Sequence, residues 1–356
     1  MVEYLSGNRI QGSSTYTTEV PKTAWEEIGR YTVTGSSTDS FTVRGLASAT
    51  SGTMVEKDML MLLMRKVPSG STRNYMHFND DNGTSDNYIQ YTNSQDGNGN
   101  WEIQNKNEQA YIQLHISGGA DDDFIYGKIL NKAGHRYGSL HVTRAYTSAD
   151  DIYMRDKNFK YFPSSSSERI TKINFDNSSG SGEYGVGTEV VVLGMNFNQV
   201  EASTQFWDLL YEKELTGSET ETNFTTDTWT PKKYMWLEYG HNCSTDPVVQ
   251  FGVGGTIQTG SYRQASQQDD DAPATMSRSN LEFTSNTKGF QSVMFSNPSD
   301  RYSIGSARTS GVNSPYFKAC DGVWYGGTGQ INKYAINKGS NPTFSAPTWI
   351  KVWGHD

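Results

Sequence analysis

Carboxylates are the first residues whose spacing can do chemistry. They occur three in a row at Asp121-Asp122-Asp123 and at Asp269-Asp270-Asp271, and a third acidic stretch runs Asp80-Asp81-Asn82-Gly83-Thr84-Ser85-Asp86. Adjacent carboxylates repel unless water or a cation separates them, and calcium takes several carboxylate oxygens at once. Asp80, Asp81 and Asp86 are therefore the candidate metal ligands, with calcium the ion they would hold. The stretch does not follow the EF-hand spacing, and a solvated Asx-type turn is the competing reading. Aromatic rings are the second candidate. Sugars are held by aromatic faces and by Asn, Asp and Gln edges, and Trp101, Trp229, Trp324 and Tyr325 are the candidates for that role. Trp324 and Tyr325 stand before Gly326-Gly327, in a stretch that reads as an exposed loop. The same ring types anchor protein interfaces and fill cores, so glycan binding, subunit contact and packing all remain open for these four.

Other chemistry finds little support. The six histidines (His77, His115, His135, His141, His241 and His355) form no His-x-x-x-His or Glu-x-x-His pair. Gly252-Val253-Gly254-Gly255 follows a predicted strand but opens no helix, so it is not a phosphate loop. A hydrolase needs paired carboxylates at a working separation, or a nucleophile beside a base, and no convincing set is visible. The expectation is a chain with no catalytic and no cofactor-binding residues.

The elements that would position such residues are short strands. Charged residues are only 19% of the 356-residue chain, glycines number 35, and Tyr, Phe and Trp recur throughout, which suits many strands joined by polar turns. Tyr31-Thr32-Val33-Thr34 and Ser40-Phe41-Thr42-Val43 alternate around Gly35-Ser36-Ser37. Met59 to Met64 and Glu189 to Leu193 are instead nearly continuous apolar runs, as strands covered on both faces should be. Turn dipeptides at Asn82-Gly83, Asp96-Gly97 and Asn98-Gly99 punctuate the first half. The predicted fold is all-β, a β-sandwich of jelly-roll type.

Net charge is -9, and no Lys/Arg cluster offers the basic stripe that nucleic acid requires. No run of about 18 apolar residues exists, so no membrane-spanning helix is expected. The N-terminal stretch lacks the basic and apolar regions of a secretory signal. The two cysteines, Cys243 and Cys320, cannot make a disulfide framework; two buried thiols are expected, with one disulfide as the alternative.

Compared with itself, the chain echoes. Trp25 precedes Thr34-Gly35-Ser36 as Trp207 precedes Thr216-Gly217-Ser218, and Lys57 to Leu62 echoes Lys233 to Glu238. Phe78, Tyr88-Ile89-Gln90 and Asp96 match Phe251, Tyr262-Arg263-Gln264 and Asp270. Phe124, Asn131 and Arg136-Tyr137 match Phe290, Asn297 and Arg301-Tyr302. Ile170, Thr188, Val190, Val192 and Gly194 match Ile331, Thr348, Ile350, Val352 and Gly354. The shared order predicts an internal duplication: a polar leader over 1–20, a first β-sandwich over 21–200 and a second over 201–356.

Glu3 to Gly12, the Trp25-Glu26-Glu27-Ile28-Gly29-Arg30 motif, Phe78-Asn79-Asp80 with Gly83 and Asn87-Tyr88, and the run from Ile170 through Gly182-Glu183-Tyr184 to Gly194 resemble the repeated β-domain of virion structural proteins from marine tailed viruses. Those are tail-fibre, head-fibre or capsid-associated proteins. The second half departs from the pattern at Gly252 to Gly255 and at Trp353. The resemblance implies a non-enzymatic virion component, assembled in a host cytoplasm, that forms a homo-oligomer such as a trimer, attaches to other virion proteins through its leader and meets a host-surface glycan. It implies no nucleic-acid partner and no membrane insertion. A capsid subunit with two tandem jelly rolls and a free pair of carbohydrate-binding modules are the alternatives.

Overall fold

The computed structural model describes residues 24–46, 52–69, 74–81, 87–95, 101–114, 122–145, 152–163, 165–177, 184–198, 206–245, 247–268, 274–278, 287–300, 303–311, 316–324, 327, 329–337 and 342–356. Every regular element among them is a strand. The chain divides into two compact units whose main boundary falls between Phe206 and Trp207, with the short segments Gln95–Trp101 and Ser148–Met154 grouped with the second.

Unit one contains β1 (Glu26–Thr32), β2 (Phe41–Val43), β3 (Met59–Lys66), β4 (Asn74–Phe78), β5 (Tyr88–Gln95), β6 (Trp101–Gln109), β7 (Ile112–Gln113), β8 (Asp122–Lys132), β9 (His135–Ala145), β10 (Ile152–Tyr161), β11 (Ile173–Asn177) and β12 (Glu189–Met195). Four antiparallel pairs set its architecture: β1 with β12, β2 with β11, β3 with β8 and β4 with β7. The chain is thus a long two-stranded ribbon. Winding that ribbon places β1, β12, β3 and β8 side by side in one sheet and β2, β11, β4 and β7 in another. This is a jelly roll. β1 and β2, which flank the Gly35 turn, belong to different sheets and do not pair with each other. The larger sheet continues past β8 through β9, β10, β5 and β6.

Unit two contains β13 (Asp208–Leu215), β14 (Thr220–Thr222), β15 (Phe224–Thr225), β16 (Tyr234–Asn242), β17 (Val248–Val253), β18 (Thr256–Ile257), β19 (Tyr262–Gln268), β20 (Ala274–Arg278), β21 (Lys288–Ser296), β22 (Ser303–Gly311), β23 (Tyr316–Trp324), β24 (Ile331–Asn337), β25 (Thr343–Ser345) and β26 (Thr348–His355). Its sheets run β13-β26-β16-β21-β22-β23-β19-β20 and β15-β24-β17-β18, with β14-β25 as a small addition. The larger sheet repeats the order of unit one strand for strand, and β15, β24 and β17 repeat β2, β11 and β4; β18 differs, because it folds back directly on β17 as a hairpin whereas β7 follows β6.

Each unit has its own core between the sheets. Leu60, Leu62, Met64, Val190 and Val192 meet Phe41, Phe78 and Phe175 in unit one; Met235, Leu237, Ile350 and Val352 meet Phe224, Phe251 and Tyr334 in unit two. In β3 and β12 the alternate residues Met61, Leu63, Val191 and Leu193 are buried as well, which explains the unbroken apolar runs.

The echoed residues do matching work. The buried Asn131 accepts from the Ile170 N–H at 2.8 Å and donates to the carbonyls of Ile170 and Lys57, each at 3.1 Å. Asn297 accepts from the Ile331 N–H at 2.7 Å and donates to Ile331 at 3.0 Å and Lys232 at 2.9 Å. The Phe78 N–H donates to the Tyr88 hydroxyl at 2.8 Å, and the Phe251 N–H to the Tyr262 hydroxyl at 2.8 Å. These contacts also correct one register. Lys57 corresponds to Lys232, not to Lys233, because Asn131 and Asn297 reach those two carbonyls; Leu60 therefore matches Met235. A one-residue slip in a strand exchanges its faces, so the apparent Met59–Met235 match would have turned the core outward.

Candidate carbohydrate-binding face

The acidic turn after β4 carries two of the expected metal ligands. Asn79 and Asp80 both have positive φ, 54° and 61°, and the Asp81 N–H closes the turn on the Phe78 carbonyl at 2.9 Å. Asn and Asp tolerate that conformation best among residues other than glycine. The Asn79 side chain locks the turn to the segment before β11: it accepts from the Thr171 N–H at 2.9 Å and the Lys172 N–H at 3.1 Å and donates to the Arg169 carbonyl at 2.7 Å. Asp80 accepts from Lys172 Nζ at 2.5 Å, and this lysine holds its carboxyl below the ordinary range. Asp81 accepts from Asn87 Nδ2 at 2.5 Å. The carboxylates of Asp80 and Asp81 are thus engaged by side chains of the protein, while Asp86 lies outside the described residues. Among the described residues, no three His, Cys, Asp or Glu side chains converge as a metal site.

Two of the expected sugar-binding rings are core residues. Trp229 is 7% exposed and Trp324 is 3% exposed, and both pack in the unit-two cluster with Phe251, Tyr262 and Val293. Trp324 ends β23 on the inward side, opposite Tyr262, rather than standing in an exposed loop. Neither ring presents a face to a ligand. Trp101 opens β6, but its side chain lies outside the described residues, as does all of Tyr325. Gly254 and Gly255, at φ of 57° and 81°, form the tight turn between β17 and β18. Cys243 is buried, its thiol donating to the Thr245 carbonyl at 2.9 Å.

Exposed rings are found elsewhere, on the extension of the larger sheet of unit one. On β9, Leu140 and Val142 point into the core. Their neighbours Tyr137, Ser139 and His141 therefore project from the opposite face. On β10, Phe159 and Tyr161 are core residues, so Asn158, Lys160 and the following Phe162 share that outer face. On β5, Tyr88 is buried while Ile89 and Tyr91 are exposed. The Phe162 N–H donates to the Asn87 carbonyl at 2.8 Å and keys β10 to the start of β5. The outer face thus carries Tyr137 at 43% exposure and Phe162, Ile89 and Tyr91 at 38% each, across three adjacent strands. Lys160 lies between two of the rings, its Nζ 4.3 Å from the Phe162 centroid and 5.3 Å from that of Tyr137. A cation over an aromatic face holds both groups in place without hiding them from solvent. The strand pairing also corrects the Tyr137–Tyr302 match: Leu130 faces Tyr137 as Ser296 faces Ile304, so the residue of unit two that corresponds to Tyr137 is Ile304, which is buried.

Farther along the same face, His141 Nδ1 is 2.6 Å from Asp156 Oδ1 and Ser139 Oγ is 3.4 Å from His141 Nε2. The connectivity is that of a hydrolytic triad. Ser139, however, is mid-strand and paired with Lys128 of β8. The amides of a sheet lie in its plane and are spent on the ladder, whereas the Ser139 hydroxyl projects from the face, so the sheet itself offers no pair of N–H donors above it as an oxyanion hole. The three side chains form a polar network beside the aromatic patch.

Sequence inspection missed Tyr137, Lys160 and Phe162 because glycine-rich surroundings drew attention to other rings. The available signal was parity: within each alternating strand, the ring out of phase with the buried aliphatics is the exposed one.

No family model and no curated protein matches the chain. Among solved structures, human GIVD cytosolic phospholipase A2 is aligned at 8% identity over 75% of this chain and 33% of that chain, with a TM-score of 0.11. At that score the likeness bears on neither fold nor function.

Proposed function

We propose that the chain is a non-enzymatic virion structural protein, a fibre or capsid-decoration component, which assembles with copies of itself and binds glycans through the outer face of β9, β10 and β5. The observation that carries this reading is the jelly-roll order of unit one and its repetition in all but one strand of the two main sheets of unit two, which we take as two copies of one ancestral domain. Jelly rolls serve as capsid and lectin domains, and in both roles the sandwich is a rigid support rather than a source of chemistry. The sequence resemblance to virion proteins points the same way, and the exposed rings of unit one offer the recognition surface that such a protein needs.

An antibody raised against the full chain should decorate intact virus particles from the source that encodes it, at the tail, the head fibres or the shell surface. Particles that carry no label, and whose purified protein lacks the chain, would remove this reading. The two jelly rolls in one chain also favour the related reading of a tandem capsid subunit, which differs in one outcome: a shell subunit closes into large particles by itself.

A further inference from the structure

We infer that the Tyr137–Lys160–Phe162 cluster is a binding site for an acidic sugar, one bearing a carboxylate or a sulfate; this rests on the reading of the outer face as a glycan-binding surface and names the ligand's chemistry.

The two rings leave 43% and 38% of their surface in solvent, on strands whose opposite face is fixed by the buried core residues Leu140, Phe159 and Tyr161. Each ring offers a flat apolar face of the size that covers the axial C–H groups of a pyranose. Lys160 supplies the charge. Its only recorded contacts among the described residues are the two rings, and no carboxylate there neutralises it. A second pair repeats the arrangement beyond the end of β8, where Lys132 Nζ lies 5.8 Å from the ring of Phe197, itself 41% exposed. The chain as a whole carries a net charge of -9. Lysines elsewhere, such as Lys172 beside Asp80 and Lys351 beside Glu212, are answered by a carboxylate. Two ammonium groups held by rings instead, at one end of one sheet, make a local positive spot on an acidic protein. A neutral sugar would use the rings and leave the charge idle; an acidic sugar uses both. The acid on the same face of β10, Asp156, is held by His141 at 2.6 Å and stands four residues along the strand from Lys160.

The test is calorimetric titration of the full-length chain with three probes at low salt: oligogalacturonate for carboxylate, heparin-derived oligosaccharide for sulfate, and cellohexaose as the neutral control. The inference predicts that at least one acidic probe binds more than ten-fold more tightly than cellohexaose, and that raising the salt weakens it. Lys160→Ala and Phe162→Ala should each weaken that binding by ten-fold or more, with an unchanged unfolding midpoint because both side chains project from the outer face. Which acidic probe binds identifies the anion. Binding of neither acidic probe overturns the inference, as does a Lys160→Ala variant that binds like the parent. If the variants instead dissociate an oligomer and leave sugar binding intact, the face is a subunit contact and the inference falls. Mass is read on the same samples: an assembled chain that binds no acidic probe defeats this inference alone, whereas a monomer that binds one defeats the assembly reading alone.

Discussion

Tyr88 and Tyr262 each accept a hydrogen bond from a strand N–H two residues or fewer from a sheet end, and burial pushes both phenols well above their ordinary range. Both hydroxyls therefore stay protonated across any working pH. Tyr88→Phe and Tyr262→Phe should each cost about 1 to 3 kcal/mol by leaving a buried amide unpaired, and the two losses should be similar if the units are built alike. Urea midpoints of the two variants check this. Asn131→Ala and Asn297→Ala remove more bonds each and should cost more. His77 gives a pH signature. Burial lowers its basicity, and this outweighs the opposing pull of Asp176, 3.2 Å away, and of Asp80 and Asp81. A folded-state pKa below the unfolded value of 6.5 means that the unfolded chain binds more protons. Stability contributed at neutral pH should therefore fall as pH drops below that value. The melting temperature of a His77→Gln variant should lose this part of the pH dependence; an unchanged pH profile would contradict the assignment. Ser139 also allows a direct check on the proposed non-enzymatic role: a fluorophosphonate probe should not label it, and labelling would show a nucleophile activated by His141.

At the scale of elements, the sequence was most legible where burial is complete. The apolar runs at Met59–Met64 and Glu189–Leu193 announced strands covered on both faces, and β3 and β12 are buried along nearly their whole length. This makes a test that a half-exposed strand would fail. Leu62→Ala and Leu63→Ala point to opposite faces, yet each should destabilise by about 2 to 5 kcal/mol, whereas Ile89→Ala on the outward side of β5 should cost under about 1 kcal/mol. Pairing was less legible. The Gly35 turn sits between two alternating segments that look like a hairpin, but β1 joins β12 and β2 joins β11. Such long-range partners are set by which faces must be buried together, and local alternation does not encode them. The residue echoes stood out because Asn131, Asn297, Tyr88 and Tyr262 each make contacts that few other side chains can replace. The one-residue slip at Lys57 arose because apolar strand residues substitute freely for one another.

For the whole molecule, the all-β class was legible in the sequence, but two of the four rings singled out there, Trp229 and Trp324, are core residues. Tryptophan beside glycine suggested a loop, and the core claimed Trp229 and Trp324 because a large ring fills the space between two sheets. Exposed rings stand instead on β9, β10 and β5, the strands that extend the larger sheet of unit one, an addition with no sequence motif of its own. The proposed assembling and recognising role rests on two similar β-sandwiches in one chain and on the exposed rings of β9, β10 and β5 in the first. The measurement that tests it most directly is the mass of the purified chain by light scattering over a range of concentrations. A discrete multiple of 39.6 kDa, a trimer or higher, is the predicted result. A mass of 39.6 kDa at every concentration would contradict it.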